Sequence, residues 1–93
     1  MEELLHIVVR GHVQGVGFRY FAEQQARRLG IAGWVRNGPG GEVELMARLP
    51  AGVKERFLAA LREGPPAARV EALEVRSAAA EQIPPGSGFH VRH

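Results

Sequence analysis

Cysteine, aspartate and threonine are absent from this chain of 93 residues. Lysine, asparagine, tyrosine and tryptophan occur once each, as Lys54, Asn37, Tyr20 and Trp34. Each gap removes a class of chemistry. Without cysteine there is neither a disulfide framework nor a thiolate nucleophile. Without aspartate no Ser-His-Asp triad can be assembled, and neither Ser77 nor Ser87 sits in a local nucleophile motif. A phosphoryl-transfer centre that holds magnesium through aspartate carboxylates is excluded in the same way. The single lysine lies in "AGVKERF", which is not a Walker loop. The four histidines, His6, His12, His90 and His93, have spacings that match no metal motif.

Long apolar runs are missing too. None approaches the roughly 20 residues that cross a bilayer. The opening "MEELLHIVVRG" has no basic n-region and no small-residue cleavage site, so no signal peptide is read there. The expectation is a cytoplasmic protein with no membrane partner. A formal charge of +2, from 12 basic and 10 acidic residues, is too small to demand a nucleic-acid partner. The arginines are scattered, with only Arg27 and Arg28 adjacent, so there is no polybasic arm. An RNA-reading sheet would also need exposed aromatics, and aromatic residues make up only 6% of the chain. A hydrophobic share of 45% with 24% charged is ordinary for a soluble protein, and residues 1–93 are expected to form one domain.

What is present is a regular alternation of periods. "LLHIVVRG" sets Leu5, Ile7 and Val9 against His6, Val8 and Arg10, which predicts a strand. From Phe18 the spacing becomes helical through Ala22 and Ala26 to Leu29, and Gly30 stands at a C-terminal cap position. "IAGWVRN" predicts a second strand, "NGPGG" a turn in which Asn-Gly supplies positive φ, and "EVELMARL" a third strand. Pro50 is expected to open a second helix with the stripe Val53, Phe57, Ala60 and Leu61, closed by Gly64. "ARVEALEVRS" is a fourth strand whose alternation slips between Ala72 and Leu73, which suggests a bulge. "AEQIPPGSG" reads as a loop and "FHVRH" as a short fifth strand. The predicted class is α+β: a ferredoxin-like βαββαβ sandwich, with a mainly antiparallel sheet and two helices on one face.

The stretch "GHVQGVGFRYF" joins the first strand to the first helix through glycines. Gly15 and Gly17 permit backbone conformations closed to other residues, and the helix start behind them offers unpaired N–H groups and a positive dipole end. Arg19 adds a planar fork suited to two phosphate oxygens. A cation in the first helical turn opposes the dipole unless an anion binds. Asn37 has a plain turn-forming reading. In a βαβ unit, however, the end of the second strand reaches the same rim as the start of the first helix, so its carboxamide can orient a water there. Trp34, Phe18 and Phe21 read as packing residues, and Tyr20 stands beside the site.

Taken in order, "HVQGVGFRYF", "GWVRNGPGGEVEL", "GPPAARVEALEV" and the terminal "SGFHVRH" resemble the acylphosphatases over essentially the whole chain. The combination of "VQGVGFR" with "GWVRN" carries the resemblance. It implies a hydrolase that cleaves the carboxyl-phosphate bond of acyl phosphates with no metal or other cofactor. Its partners would be the acyl phosphate substrate and the inorganic phosphate product, and a monomer is expected. Carried over by motif, Arg19 would bind the phosphoryl oxygens and Asn37 would hold the attacking water. The backbone of Gln14, Gly15, Val16, Gly17 and Phe18 would form the phosphate cradle. His12 and the pair Arg48-Leu49 depart from the commonest family pattern, which bears on substrate preference and rim contacts. Two alternatives stay open: a module that binds a phosphorylated metabolite without turnover, and a domain of a larger carbamoyl-transfer enzyme.

Overall fold

A computed structural model describes residues 2–83 and 88–93. The strands are β1 (Glu3–His12), β2 (Ala32–Asn37), β3 (Val43–Leu49), β4 (Arg69–Ser77) and β5 (Phe89–Arg92). The helices are α1 (Phe18–Arg28), between β1 and β2, and α2 (Lys54–Glu63), between β3 and β4. The sheet order is β4-β1-β3-β2-β5, with every neighbouring pair antiparallel except β2 with β5. The fold is the ferredoxin-like α+β sandwich that the periods predict.

Alternation decides which face of the sheet is covered. Leu5, Ile7 and Val9 of β1 and Val43, Leu45, Ala47 and Leu49 of β3 all point into the core. The stripes Phe18, Ala22, Ala26 of α1 and Phe57, Leu58, Leu61 of α2 close over them in one cluster. Burying each large apolar side chain contributes roughly 1.5–3 kcal/mol, so this face dominates the stability. The opposite face carries a smaller cluster of Trp34, Met46 and Ile83, with Leu4 and Ala78 packed on it. The guanidinium groups of Arg92 and Arg36 lie 4.4 and 5.3 Å from the Trp34 ring centroid, in cation–π range.

Three local expectations are corrected. The second helix starts at Lys54 rather than Pro50, because Gly52 adopts φ +85° and turns the chain before Val53 caps the helix. The fourth strand does bulge, but at Glu71: Arg10 pairs with Ala72 while Gly11 pairs with Val70. Gly11 has φ +130°, and a Cβ there would collide with the Arg69 carbonyl oxygen, so the bulge requires glycine opposite it. The segment after β4 is not wholly loop, since Ala80–Gln82 form a short 3₁₀ turn and Ile83 is buried on the outer face. The rest of that predicted loop, residues 84–87, lies outside the described residues.

On the outer face the Glu44 carboxylate accepts a hydrogen bond from Arg36 Nε at 2.6 Å and meets His6 Nε2 at 2.7 Å. Burial pushes its pKa up, but the His6 and Arg36 hydrogen bonds and the Arg36 charge together hold it below the usual 4.5. A carboxylate whose folded pKa is depressed contributes stability that is complete above the unfolded pKa and is lost as pH falls through the folded one. Glu74, hydrogen-bonded by Arg10, is shifted the same way. Thermal melts across a pH series should therefore show the protein losing stability below about pH 4.5, with Glu44→Gln losing less over that range. Identical acid slopes for the two proteins would show that Glu44 does not carry the response.

Candidate active site

The chain passes from β1 to α1 over residues 13–17. Val13 is buried and anchors the segment, and then Gly15 and Gly17 adopt φ +75° and +79°. A Cβ at either position would meet nothing within 4 Å, so it is the left-handed backbone and not space that calls for glycine. Gly17 is the N-cap of α1. It brings no capping side chain, and the first turn holds no acidic residue. The first helical hydrogen bond runs from the Phe21 N–H to the Gly17 carbonyl at 3.0 Å. The N–H groups of Phe18, Arg19 and Tyr20 therefore have no acceptor within the helix. With the positive end of the dipole behind them, they form a place for an anion.

Arg19 projects from that first turn and is half-buried. Its Nη1 donates to the Arg92 carbonyl oxygen at 3.0 Å and lies 3.2 Å from His93 Nδ1, which accepts when the ring proton sits on Nε2. The end of β5 thus orients one edge of the guanidinium, and among the described residues the Nε and Nη2 edge has no hydrogen-bond partner, so it can grip an anion in a fork. Among the described residues Arg19 forms no ion pair with a carboxylate. Asn37 is the last residue of β2 and is exposed. The predicted turn follows it, but the positive φ of the hairpin falls on Gly41 at +91° and not on Asn37 or Gly38, so the expectation that Asn-Gly supplies it is corrected.

These residues surround one recess of about 90 Å³, lined by Val13, Gly15, Gly17, Phe18, Arg19, Tyr20 and Asn37. Arg19, Asn37, Gly15, Gly17 and Phe18 are thus brought together from the sequence-derived set. Gln14 and Val16 do not line the recess, and Val16 packs against the core. The Phe18 side chain is core as well, so only its backbone is available to a ligand. His12 is the last residue of β1, paired with Arg69 of β4, and its exposed side chain does not line the recess. Among the described residues no three His, Asp or Glu side chains gather as a metal-binding group.

One contact was not anticipated. The Gln14 carboxamide Nε2 donates to the carbonyl oxygens of Gly38 and Glu42, each at 2.8 Å. Gly38 N–H also donates to Glu42 O at 2.8 Å, so the amide closes the mouth of the β2–β3 hairpin. Gln14 therefore sets the distance between the glycine turn and Asn37. A signal for this existed: within residues 13–17, Gln14 is the one side chain able to donate hydrogen bonds.

Fold and site together define an α+β domain with an uncapped helix start, a guanidinium held by the end of β5 and a carboxamide on one rim. The acylphosphatase family model matches residues 5–91. The acylphosphatase of Nitrobacter hamburgensis is 50% identical over 86 residues, which is 89% of this chain and 87% of that relative. The crystal structure of acylphosphatase from Bacillus subtilis superposes with a TM-score of 0.87 at 35% identity, covering 100% of both chains. Full-length HypF matches at a TM-score of 0.86 and 24% identity over 12% of its own length, a likeness of fold alone. The chain belongs to the acylphosphatase family of hydrolases.

Removing the Gln14 amide deletes two hydrogen bonds, each contributing about 1 kcal/mol net, and frees the hairpin from the glycine turn. Gln14→Ala and Gln14→Glu should both bind inorganic phosphate more weakly than the wild type by calorimetry, with a lower melting temperature. Unchanged phosphate affinity in both variants would show that turn and hairpin hold their places without the amide.

Proposed function

We propose that this chain hydrolyses acyl phosphates to a carboxylate and inorganic phosphate without a metal, using residues 1–93 as one domain. The observation that carries the reading is the convergence of the uncapped α1 N-terminus, Arg19 and Asn37 on a single small recess. Family membership supports the substrate class. The phosphoryl group lies in the backbone cradle of residues 14–18, with the Gly15, Gly17 and Phe18 region facing it directly and the Arg19 fork on its oxygens. Asn37 holds the attacking water.

The chemistry asks little more of the protein. The water oxygen forms a new bond to phosphorus, the bond from phosphorus to the acyl oxygen breaks, and its electron pair leaves on the carboxylate. That leaving group has a conjugate-acid pKa of about 4–5, judged from side-chain carboxyls, so it departs without a general acid. The proton of the water passes to a phosphoryl oxygen. A loose transition state needs positioning and charge stabilisation above all. Oriented N–H donors in comparable sites contribute about 3–4 kcal/mol each. A phosphate monoester, with its alkoxide leaving group, is a far poorer substrate on this mechanism.

The test is hydrolysis of benzoyl phosphate in EDTA by the wild type, Arg19→Ala and Asn37→Ala, with circular dichroism to establish folding. Expected is turnover by the wild type, a fall of about 10³-fold or more for Arg19→Ala and of about 10²–10³-fold for Asn37→Ala. A folded wild type that binds phosphate without turning over substrate would replace this reading with that of a phosphate-metabolite-binding module.

A further inference from the structure

We infer that the acyl half of the substrate lies in a second groove along α1, where Tyr20 selects flat, uncharged acyl groups such as an aryl ring. The inference rests on the acyl phosphate reading and deepens it. The recess that holds Arg19 and Asn37 measures about 90 Å³, room for a phosphoryl group but not for a substantial acyl chain. A groove of about 460 Å³ adjoins it, lined by Gly17, Tyr20, Phe21, Glu23, Gln24 and Arg27. Gly17 and Tyr20 border both. Gly17 brings no side chain to that border, which leaves Tyr20 as the one side chain shared by the two spaces.

The end of β5 borders the same place. Arg36 of β2 pairs in parallel with Arg92 of β5, so Asn37 and His93 follow as the next residues of the two neighbouring chains. Arg19 reaches Arg92 there, and the Tyr20 ring lies 6.4 Å from the His93 ring. Tyr20 thus stands where the phosphate recess meets the groove.

The lining indicates what the groove accepts. Tyr20 is 57% exposed and is the one large hydrophobic side chain left exposed among the described residues. A single exposed apolar residue is ordinary on any surface. What distinguishes Tyr20 is its place on the border between phosphate recess and groove. Farther along, Arg27 Nη2 donates to Glu23 Oε2 at 3.1 Å, so the two charges in the groove answer each other and select for neither sign. An uncharged ring lying against Tyr20 and Phe21 fits this lining. A two-carbon acyl group does not extend far enough to use it.

The experiment measures kcat and KM for benzoyl phosphate and acetyl phosphate, and inhibition by inorganic phosphate, in the wild type, Tyr20→Phe and Tyr20→Ala. The benzoyl-to-acetyl ratio of kcat/KM should fall about three- to tenfold in Tyr20→Ala, mainly through KM, and persist in Tyr20→Phe. The backbone N–H of residue 20 survives both substitutions, so phosphate inhibition should change less than the benzoyl KM does. An unchanged ratio in Tyr20→Ala, or equal losses for both substrates and for phosphate, would overturn the groove while leaving acyl phosphate hydrolysis intact. A wild type that binds phosphate and hydrolyses neither substrate would overturn both.

Discussion

Strand β3 pairs antiparallel with β1 on one side and with β2 on the other, and the site depends on this arrangement. It makes β1 and β2 run in the same direction, so both end at the same rim of the sheet. A single residue measures the spacing there: Val43, fully buried, stands opposite Val9 of β1 and opposite Asn37 of β2. Since only five residues separate β1 from α1, the uncapped helix start arrives beside Asn37 because of the sheet, whatever the turn itself prefers. The Gln14 amide then ties that turn to the hairpin, and Arg92 ties Arg19 to the edge strand. Segments far apart in sequence are thereby held beside one recess by a close-packed core that resists small displacements.

The two helices differ in how they treat their own dipoles. Helix α2 has Glu55 in its first turn and Arg62 in its last, the arrangement that the dipole favours. Helix α1 ends favourably, with Arg27 and Arg28 in its last turn and a Gly30 cap in which Ile31 N–H donates to Ala26 O at 2.9 Å. Its start breaks the rule, with a left-handed glycine, no capping side chain and a cation in place of an acid. Helix α2 also starts without a capping side chain, at Val53, and with Lys54 and Arg56 around Glu55, so what sets the α1 start apart is its left-handed glycine and the lack of any acidic residue in the first turn. A cation with no acid beside it at a helix start is a local conflict of the kind that concentrates where function is served. An anion in the recess would resolve this one, by accepting from the free N–H groups and the open edge of Arg19 together.

The fold was legible because both periods are clean. The inward sets of β1 and β3 and the stripes of both helices are strictly spaced, and the buried residues follow them. The errors fell where the chain has no period. Pro50 suggested a helix start that Gly52 postponed by its positive φ, and the slip in β4 was placed beside Glu71 because alternation reports a bulge only after it has happened. At the site, Arg19 and Asn37 were legible as rim residues from topology alone. The part played by the Gln14 side chain was not, because its partners are carbonyl oxygens of residues 38 and 42, and backbone acceptors leave no mark in a sequence. The groove beside Tyr20 was hidden for a similar reason: it is a shape shared by α1 and the turn before it.

The residue inventory and the proposed reaction explain one another. Hydrolysis of an ester-like phosphate needs help for a poor leaving group, which proteins commonly provide with metal ions or titrating acids. A carboxylate leaves unaided, so the remaining tasks are to hold the phosphoryl oxygens, place a water and spread the developing charge. On the proposed reaction, backbone N–H groups at a helix start and one guanidinium do this. On that proposal the site uses no acid or base to choose among substrates. Selection then falls to the quality of the leaving group and to contacts with the acyl half. That places the burden on the few side chains that border the recess, and among them Tyr20 is the one that also faces the adjoining groove.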